Sequence, residues 1–547
     1  MLWSRSGQTQ DAVLLQHCNY ITSTPFFRHG QRPCKYWTLA LLGAKRAVAL
    51  ASVADVDVVL ALDAGTSSIR TVAFSRDGSE VASAQRELTQ YFPRPGHVEH
   101  DGAEIAALAV ATLREVASNL DDRDDRVVAL GITNQRETTV AFDRDDGQLA
   151  HRALVWQDRR TAARCDELRL AGHEMRVRRT TGLVLDPYFS ATKMGWLVER
   201  GYLDHARAPA LSTVDGWLLW WLTGNRDGGV FATEASNASR TQLMDLETLD
   251  WSLPMCALFG VARDLLPVIC PSAYAFGTVS ASVVPELAGV PIAAMLGDQQ
   301  AALFGQACFE PGDVKATYGT GAFVMANVGD QIPEPVDGLL TTVAWDLGSF
   351  GSRAYALEGS AFVAGAAVQW LRDELGFVDA VHDLEPLARR VPDAGGVVVI
   401  PAFTGLGSPF WRPDARGAIL GLSQSTRRPH IARALIESLA HQVRAMTDAF
   451  VASGVTLGEL RADGGAARMD LLLELQATDS GATVVRSASI EATARGAATL
   501  AGLATGFWAS LDELREHWRA ERTFGPSARQ TLDASYATWR RAIDRGV

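Results

Sequence analysis

The sequence predicts an α/β protein of two domains facing each other across a cleft. Each half mixes apolar runs of period 2 with helical stretches of period 3.6, the pattern of sheets covered by helices. A strand-turn-strand segment with a Gly/Thr/Ser turn occurs twice, roughly 255 residues apart, which points to a duplicated architecture. The chain has 547 residues, enough for two or more domains at the usual figure of roughly 100–200 residues each. The boundary is expected near residues 305–312, because Phe309-Glu310-Pro311-Gly312 breaks the helix that starts at Gln299. The domains are then 56–308 and 309–547. No low-complexity linker separates them, so they are expected to pack closely and move about a hinge.

The first element is the apolar run 58–62, which enters Asp63-Ala64-Gly65-Thr66-Ser67-Ser68-Ile69-Arg70 and continues into the β-rich residues 71–74. This hairpin is suited to grip phosphate. Gly65 permits a tight turn, the hydroxyls and amides of Thr66, Ser67 and Ser68 donate hydrogen bonds, and Arg70 adds positive charge. Asp63, at the strand end, is placed to hold a magnesium ion through water. The turn lacks the G-x-x-x-x-G-K-[ST] pattern, which disfavours a P-loop NTPase, and by itself it also fits a plain hairpin.

Next comes a strand at 126–133, followed by Asn134-Gln135-Arg136-Glu137-Thr138. Adjacent Arg136 and Glu137 fit a surface ion pair, but polar residues clustered at a strand's carboxyl end are where α/β folds bind ligands. A polyol would be fixed well by an arginine donor beside a glutamate acceptor. Trp156 is either a core aromatic or a wall for a small carbon chain, and so is Phe323. Helical stretches are expected at 159–170 and 192–200. Between them lies Tyr188, whose hydroxyl serves a core carbonyl or a substrate.

Asp298 sits between the apolar run 290–295 and the next helix. An aspartate there either caps the helix amides or, facing a cleft, takes a proton from a substrate hydroxyl. The second phosphate loop is Tyr318-Gly319-Thr320-Gly321, between strands at 313–317 and 322–326. Later, Asp463-Gly464-Gly465 is a strand-to-helix turn whose glycines allow a flat ring or a phosphate to approach, or simply make a turn. The Gly/Pro-punctuated loop 401–411 carries no chemistry in this reading.

Composition excludes several classes. The net charge is −12, with 47 % hydrophobic and 21 % charged residues, which argues against a nucleic-acid or anionic-membrane surface. Six scattered cysteines suggest neither a zinc site nor a disulfide framework, so a cytoplasmic home is expected. No run approaches the roughly 18 uninterrupted apolar residues of a membrane helix. Residues 1–55 lack clean periodicity and are basic. They read as a start codon assigned too far upstream, a poorly ordered extension, or a transit-peptide-like segment.

Taken in order, these segments resemble the FGGY carbohydrate kinase family, most closely its glycerol-phosphorylating members, from about residue 57 to about 540. The most specific stretches are 131–139 (GITNQRETT), 181–190 (TGLVLDPYFS), 237–241 (NASRT), 297–306 (GDQQAALFGQ) and 317–321 (TYGTG). The resemblance implies two actin-like, ribonuclease-H-like ATPase domains with ATP and Mg²⁺ in the cleft, phosphorylating glycerol. It implies that Arg136, Glu137, Tyr188, Asp298 and Gln299 bind glycerol hydroxyls, with Asp298 as catalytic base, and that Trp156 and Phe323 flank the carbons. Nucleotide contacts fall on Thr66, Ser67, Ser68, Arg70, Thr320, Gly321, Gly365, Gln369 and Gly465. The assembly is expected to be a homo-oligomer, dimer or tetramer, with no nucleic-acid partner and no membrane insertion.

The chain departs from the family pattern at four places. Ala64 and Ile69 replace a glutamine and a serine of the first loop, and Met469-Asp470 replaces an Asn-Asn pair. These leave open a different polyol or sugar, or an altered nucleotide contact. The loop before Ala288 lacks a Gly-Gly-Thr-Arg pattern, so inhibition by fructose 1,6-bisphosphate is not expected.

Overall fold

The computed structural model of the chain describes residues 56–545 apart from 124, 490 and 529. The three readings of the N-terminal 55 residues lie outside the described residues.

The first strand-turn-strand hairpin forms as expected. Strand Asp57–Ala64 pairs antiparallel with Ser68–Ser75 in the register Asp63 opposite Arg70, and Ser68–Ser75 pairs with Glu80–Glu87. Strand Arg126–Asn134 then lies parallel to the first, and Pro291–Gly297 lies parallel to it in turn. Ala273–Thr278 closes the edge antiparallel, giving six strands.

The second sheet repeats this plan, which is the duplication read from the two loops. Val314–Tyr318 pairs antiparallel with Ala322–Gly329, which pairs with Arg353–Ala361. Leu460–Asp463 and Val484–Ser487 continue parallel on the other side, and Ala520–Phe524 closes that edge antiparallel. The one addition is Leu340–Asp346, a hairpin partner inserted before the third strand, which makes seven strands. In both sheets, three antiparallel strands are followed by two parallel ones. Parallel strands need long crossovers, so the connections carry the helices and the insertions. One such insertion is a four-stranded sheet of Glu99–His100, Ala153–Leu154, Thr139–Asp143 and Pro209–Thr213.

Between the sheets the chain crosses twice through helices of small residues. Helix Ala492–Thr505, far down the chain, lies on the first sheet, and helix Asp298–Gly305 packs against it. The approach is close enough to require glycine. A Cβ on Gly496 would stand 1.8 Å from the Ala301 carbonyl oxygen, and one on Gly305 would stand 2.0 Å from that of Ala492. A Cβ on Gly131 would stand 2.2 Å from the Ala497 oxygen. The halves therefore interlock at this crossing, and their cores merge in one cluster running from Val59 and Ala61 through Ala301 to Ala497 and Trp508.

The helices expected at 159–170 and 192–200 run Ala162–Leu170 and Ser190–Glu199. No helix of the described residues is long and apolar enough to cross a membrane.

Candidate active site

Strand ends of the two sheets open on one cavity of about 350 Å³. The first Gly/Thr/Ser turn contributes Thr66 and Ser67, and the second contributes Thr320 and Gly321. The polar wall is Arg136, Glu137, Tyr188, Asp298 and Gln299, and the aromatic wall is Trp156 and Phe323. Eleven of the seventeen residues singled out in the sequence thus line one cavity, although they are drawn from six separate segments of chain.

Local hydrogen bonds explain the convergence. Gln135, at the end of its strand, donates its backbone N–H to the Ala64 carbonyl (2.8 Å) and its side-chain amide to the Gly65 carbonyl (3.0 Å), which locks the first loop beside Arg136. Glu137 adopts φ 62°, a left-handed conformation costly for a residue with a side chain, and Ser190 Oγ holds its carbonyl (2.8 Å). That strain turns Arg136 and Glu137 away from each other. Their nearest approach is 3.9 Å, and each takes a different partner.

Arg136 is fully buried and forms a two-pronged pair with Glu358 at 2.6 and 3.0 Å. Its Nε lies 3.0 Å from Asp298 Oδ1. Glu137 pairs instead with Arg240 at 2.6 Å, and Arg240 also reaches Glu358 at 3.3 Å. Burial pushes the Glu358 carboxyl up, but Arg136 and Arg240 together bring it down to about 2. Burial raises Glu137 more than the same two arginines lower it. The result is a rigid, ionised lattice that presents Arg136 to the cavity.

Glu358 and Arg240 were not identified as site residues from sequence. Each left a signal. Glu358 is a lone carboxylate in the otherwise apolar strand centre of Arg353–Ala361, and Arg240 belongs to the 237–241 motif, where no role was assigned. Lys193 was also missed. It is buried and donates to the carbonyls of Pro187 (3.0 Å) and Tyr188 (2.8 Å), fixing the backbone that carries the tyrosine. Gln90, Gln157 and Phe362 complete the cavity lining.

The aromatic wall is tied to the first loop. Trp156 Nε1 donates to Thr66 Oγ1 at 2.9 Å, and its ring stands edge-on to Tyr188 with centroids 5.6 Å apart. Because the indole occupies a lone pair of the Thr66 hydroxyl, the hydroxyl proton remains available to an acceptor in the cavity.

Asp298 is the first residue of its helix, and Gly297 is the N-cap residue. Its Oδ1 accepts the Gln299 backbone N–H (2.7 Å) and forms an ion pair with the Arg136 guanidinium, while the side chain keeps 29 % exposure. It is thus both a local acceptor for a helix amide and a carboxylate open to the cleft.

The remaining predicted residues do not line the cavity. Ser68 accepts from Gln85 (2.9 Å), and Arg70 is paired with Glu80 (3.3 Å) and Glu491. Gly365 donates to the Gly319 carbonyl (2.9 Å), bracing the second loop at the start of helix Gly365–Asp373, and Gln369 is exposed one turn on. A Cβ on Gly321 would stand 2.5 Å from the Ala361 oxygen, so this loop needs glycine. Gly465 opens a short 3₁₀ turn and faces open space. Of the Met469-Asp470 departure, Met469 is buried in the core, while Asp470 is held by Arg486 (2.8 Å) and Arg522.

Asp63 tests the fit of a magnesium ion. Burial, with Asp298 and Glu491 nearby and Arg70 opposing them, pushes its carboxyl up to about 7. A divalent cation beside Asp63 relieves that repulsion. Mg²⁺ held by one or two carboxylates, water and nucleotide phosphates needs no larger protein cage.

Known proteins match this arrangement. Residues 58–305 match the FGGY family of carbohydrate kinases, N-terminal domain, and residues 314–505 match its C-terminal domain. The glycerol kinase of Carboxydothermus hydrogenoformans is 47 % identical over 495 residues, covering 89 % of this chain and 97 % of its own. That of Symbiobacterium thermophilum is 48 % identical over 493 residues, covering 89 % and 98 %. Among solved structures, Plasmodium falciparum glycerol kinase with ADP superposes with a TM-score of 0.84 at 32 % identity, covering 90 % of this chain and 99 % of that one. A xylulose kinase from Lactobacillus acidophilus shares the fold at a TM-score of 0.80 and 19 % identity, covering 89 % of this chain and 98 % of that one. With both halves matched, the two Gly/Thr turns meeting at one small polar cavity, and relatives aligned nearly end to end, the chain belongs to the FGGY family of carbohydrate kinases.

Proposed function

We propose that this chain transfers the γ-phosphoryl group of ATP to a terminal hydroxyl of glycerol, giving sn-glycerol 3-phosphate and ADP. The observation that carries the reading is the pairing of a cavity of about 350 Å³ with a fixed arginine–carboxylate lattice, in a chain whose near-full-length relatives are glycerol kinases. Glycerol carries three hydroxyls on three carbons, each both donor and acceptor, and the wall offers donors from Arg136 and Gln299 and acceptors from Glu137 and Asp298. Trp156 and Phe323 cover the carbon chain.

In this mechanism Asp298 holds the terminal hydroxyl and accepts its proton as the oxygen attacks the phosphorus in line. Arg136, anchored by Glu358, keeps the Asp298 carboxylate oriented. The amides and hydroxyls of the two loops grip the phosphates from opposite sides. Mg²⁺ neutralises phosphate charge when bound, and Asp63 is the residue that would hold it, through water. Positioning and electrostatics supply most of the catalysis in such transfers. Ser68, Arg70, Gly365, Gln369 and Gly465 act further out in this reading, around the nucleotide. The reading also carries a cytoplasmic homo-oligomer, whose assembly light scattering on the purified chain tests.

The test is coupled ADP release with Mg-ATP across glycerol, dihydroxyacetone, erythritol, xylitol, xylulose and gluconate. Glycerol is expected to give the highest kcat/KM. A higher value with a five- or six-carbon substrate would replace glycerol while keeping the kinase, and no turnover on any would refute phosphoryl transfer to a polyol.

A further inference from the structure

Beneath the cavity floor lies a buried lysine that the mechanism does not use. Lys315, in strand Val314–Tyr318, is fully buried. Its ammonium donates to Gln299 Oε1 and to Thr317 Oγ1 (3.1 Å); burial lowers it to about 8, with Arg136 acting the same way and Asp463, Glu358 and Asp298 supporting its charge. Lysine spans from the second domain's first strand to a residue at the start of the first domain's last helix, so this contact joins the two halves below the substrate.

An ammonium donates and never accepts. Gln299 therefore has to turn its carbonyl oxygen toward Lys315, which leaves the amide NH₂ as the end that faces the cavity. A free glutamine side chain offers either end, because the two orientations have nearly the same shape. Beside it, Asp298 Oδ1 takes the Gln299 backbone N–H and the ion-pair contact of Arg136, so Oδ2 is the oxygen that remains for a ligand. The floor consequently presents a donor at Gln299 next to an acceptor at Asp298. Hydroxyls satisfy both: an oxygen lone pair takes the amide N–H, and a hydroxyl proton points to the carboxylate.

We propose that Lys315 is a positioning residue that fixes the Gln299 amide with its NH₂ toward the substrate, so that the site selects an oxygen acceptor at that point and orders the hydroxyl protons toward Asp298. This rests on the reading of Gln299 as a polyol contact. A group able only to donate, such as an ammonium, is rejected there, because two donors face each other across a buried gap.

The test is a double-mutant cycle on glycerol KM with Lys315→Met and Gln299→Ala, measured alongside the KM for ATP. Lys315→Met is expected to raise glycerol KM about tenfold and ATP KM by less than about twofold, since a hydrogen bond to a charged group is lost at the glycerol end only. In the Gln299→Ala background the same substitution is expected to add nothing to glycerol KM. Equal effects in both backgrounds, or equal effects on both substrates, would overturn the proposal. Gln299→Glu supplies the arm that does not depend on Lys315→Met folding. It keeps the contact to Lys315 as an ion pair but offers the substrate only an acceptor, so glycerol KM should rise as much as in Gln299→Ala. Unchanged KM in Gln299→Glu would also overturn the proposal. Failure of the wild type to use glycerol counts against the functional reading alone, and the cycle is then read on whichever polyol it does turn over.

Discussion

Replacing Glu358 by glutamine tests the lattice that holds Arg136. Glu358 is fully buried and accepts from Arg136 at 2.6 and 3.0 Å, from Arg240 at 3.3 Å and from Ser360 Oγ at 3.2 Å. Glu358→Gln keeps the volume but removes the charge, and it turns an NH₂ toward a guanidinium, donor against donor. Breaking one side of a buried ion pair costs about 3–5 kcal/mol. Burial pushes the carboxyl up, but the arginines outweigh it and bring it down to about 2, so the ionised form stabilises the fold. The sign follows from the lowered value. This stability is fully present above pH 4.5, where the unfolded carboxyl is also ionised, and is lost as pH falls through about 2. At neutral pH the variant should therefore lose about 3 kcal/mol in urea unfolding followed by tryptophan fluorescence. Its stability should also decline less steeply than the wild type's between pH 4.5 and 2. Because Arg136 loses its anchor, glycerol KM should rise at least about tenfold. A stability loss under about 1 kcal/mol with unchanged glycerol KM would refute the claim that Glu358 fixes Arg136.

Three further outcomes follow from the same geometry. Gly496→Ala places a methyl 1.8 Å from the Ala301 carbonyl, so the crossing helices must separate. A loss of about 3 kcal/mol or more in urea, with reduced turnover as the Asp298 helix tilts, is expected, and wild-type stability would contradict the close crossing. Trp156→Phe removes the donor to Thr66 at 2.9 Å while keeping an aromatic wall. KM for ATP and glycerol should then rise together by a few-fold, and an effect on glycerol alone would mean the two sites are not linked through that bond. Asp63→Asn should fold normally and need roughly tenfold more Mg²⁺ for half-maximal turnover, checked by magnesium titration at fixed ATP; an unchanged requirement would remove Asp63 as the ion's anchor.

How much of this was legible in the sequence depends on how local each signal is. The duplicated sheets follow from apolar runs feeding glycine turns, and their signal lies within a dozen residues of each loop. Asp63, Thr66 and Ser67 could be placed that way, as could Thr320 and Gly321. Arg136 was legible as a site residue, but its partner was not. Adjacency suggested Glu137, whereas the positive φ at Glu137 sends the two side chains apart to Glu358 and Arg240, 222 and 103 residues away. Buried ion pairs between distant segments leave only a charged residue in an apolar strand, as at Glu358, or an unexplained motif residue, as at Arg240. Arg70 was legible as a cation beside the first loop, but nothing local announced its pairing with Glu80 and Glu491. The interlocking of helix Ala492–Thr505 with the first sheet was equally invisible, since its alanine- and glycine-rich face reads as an ordinary helix until the opposing carbonyls are in place.

Asp298→Asn separates glycerol binding from turnover. The asparagine keeps an oxygen for Arg136 Nε and the Gln299 N–H but cannot accept the hydroxyl proton as a carboxylate does. Calorimetric titration should give glycerol affinity within a few-fold of wild type, while ADP release should fall by about 10²–10⁴. Turnover within about tenfold of wild type would show that Asp298 is not the base.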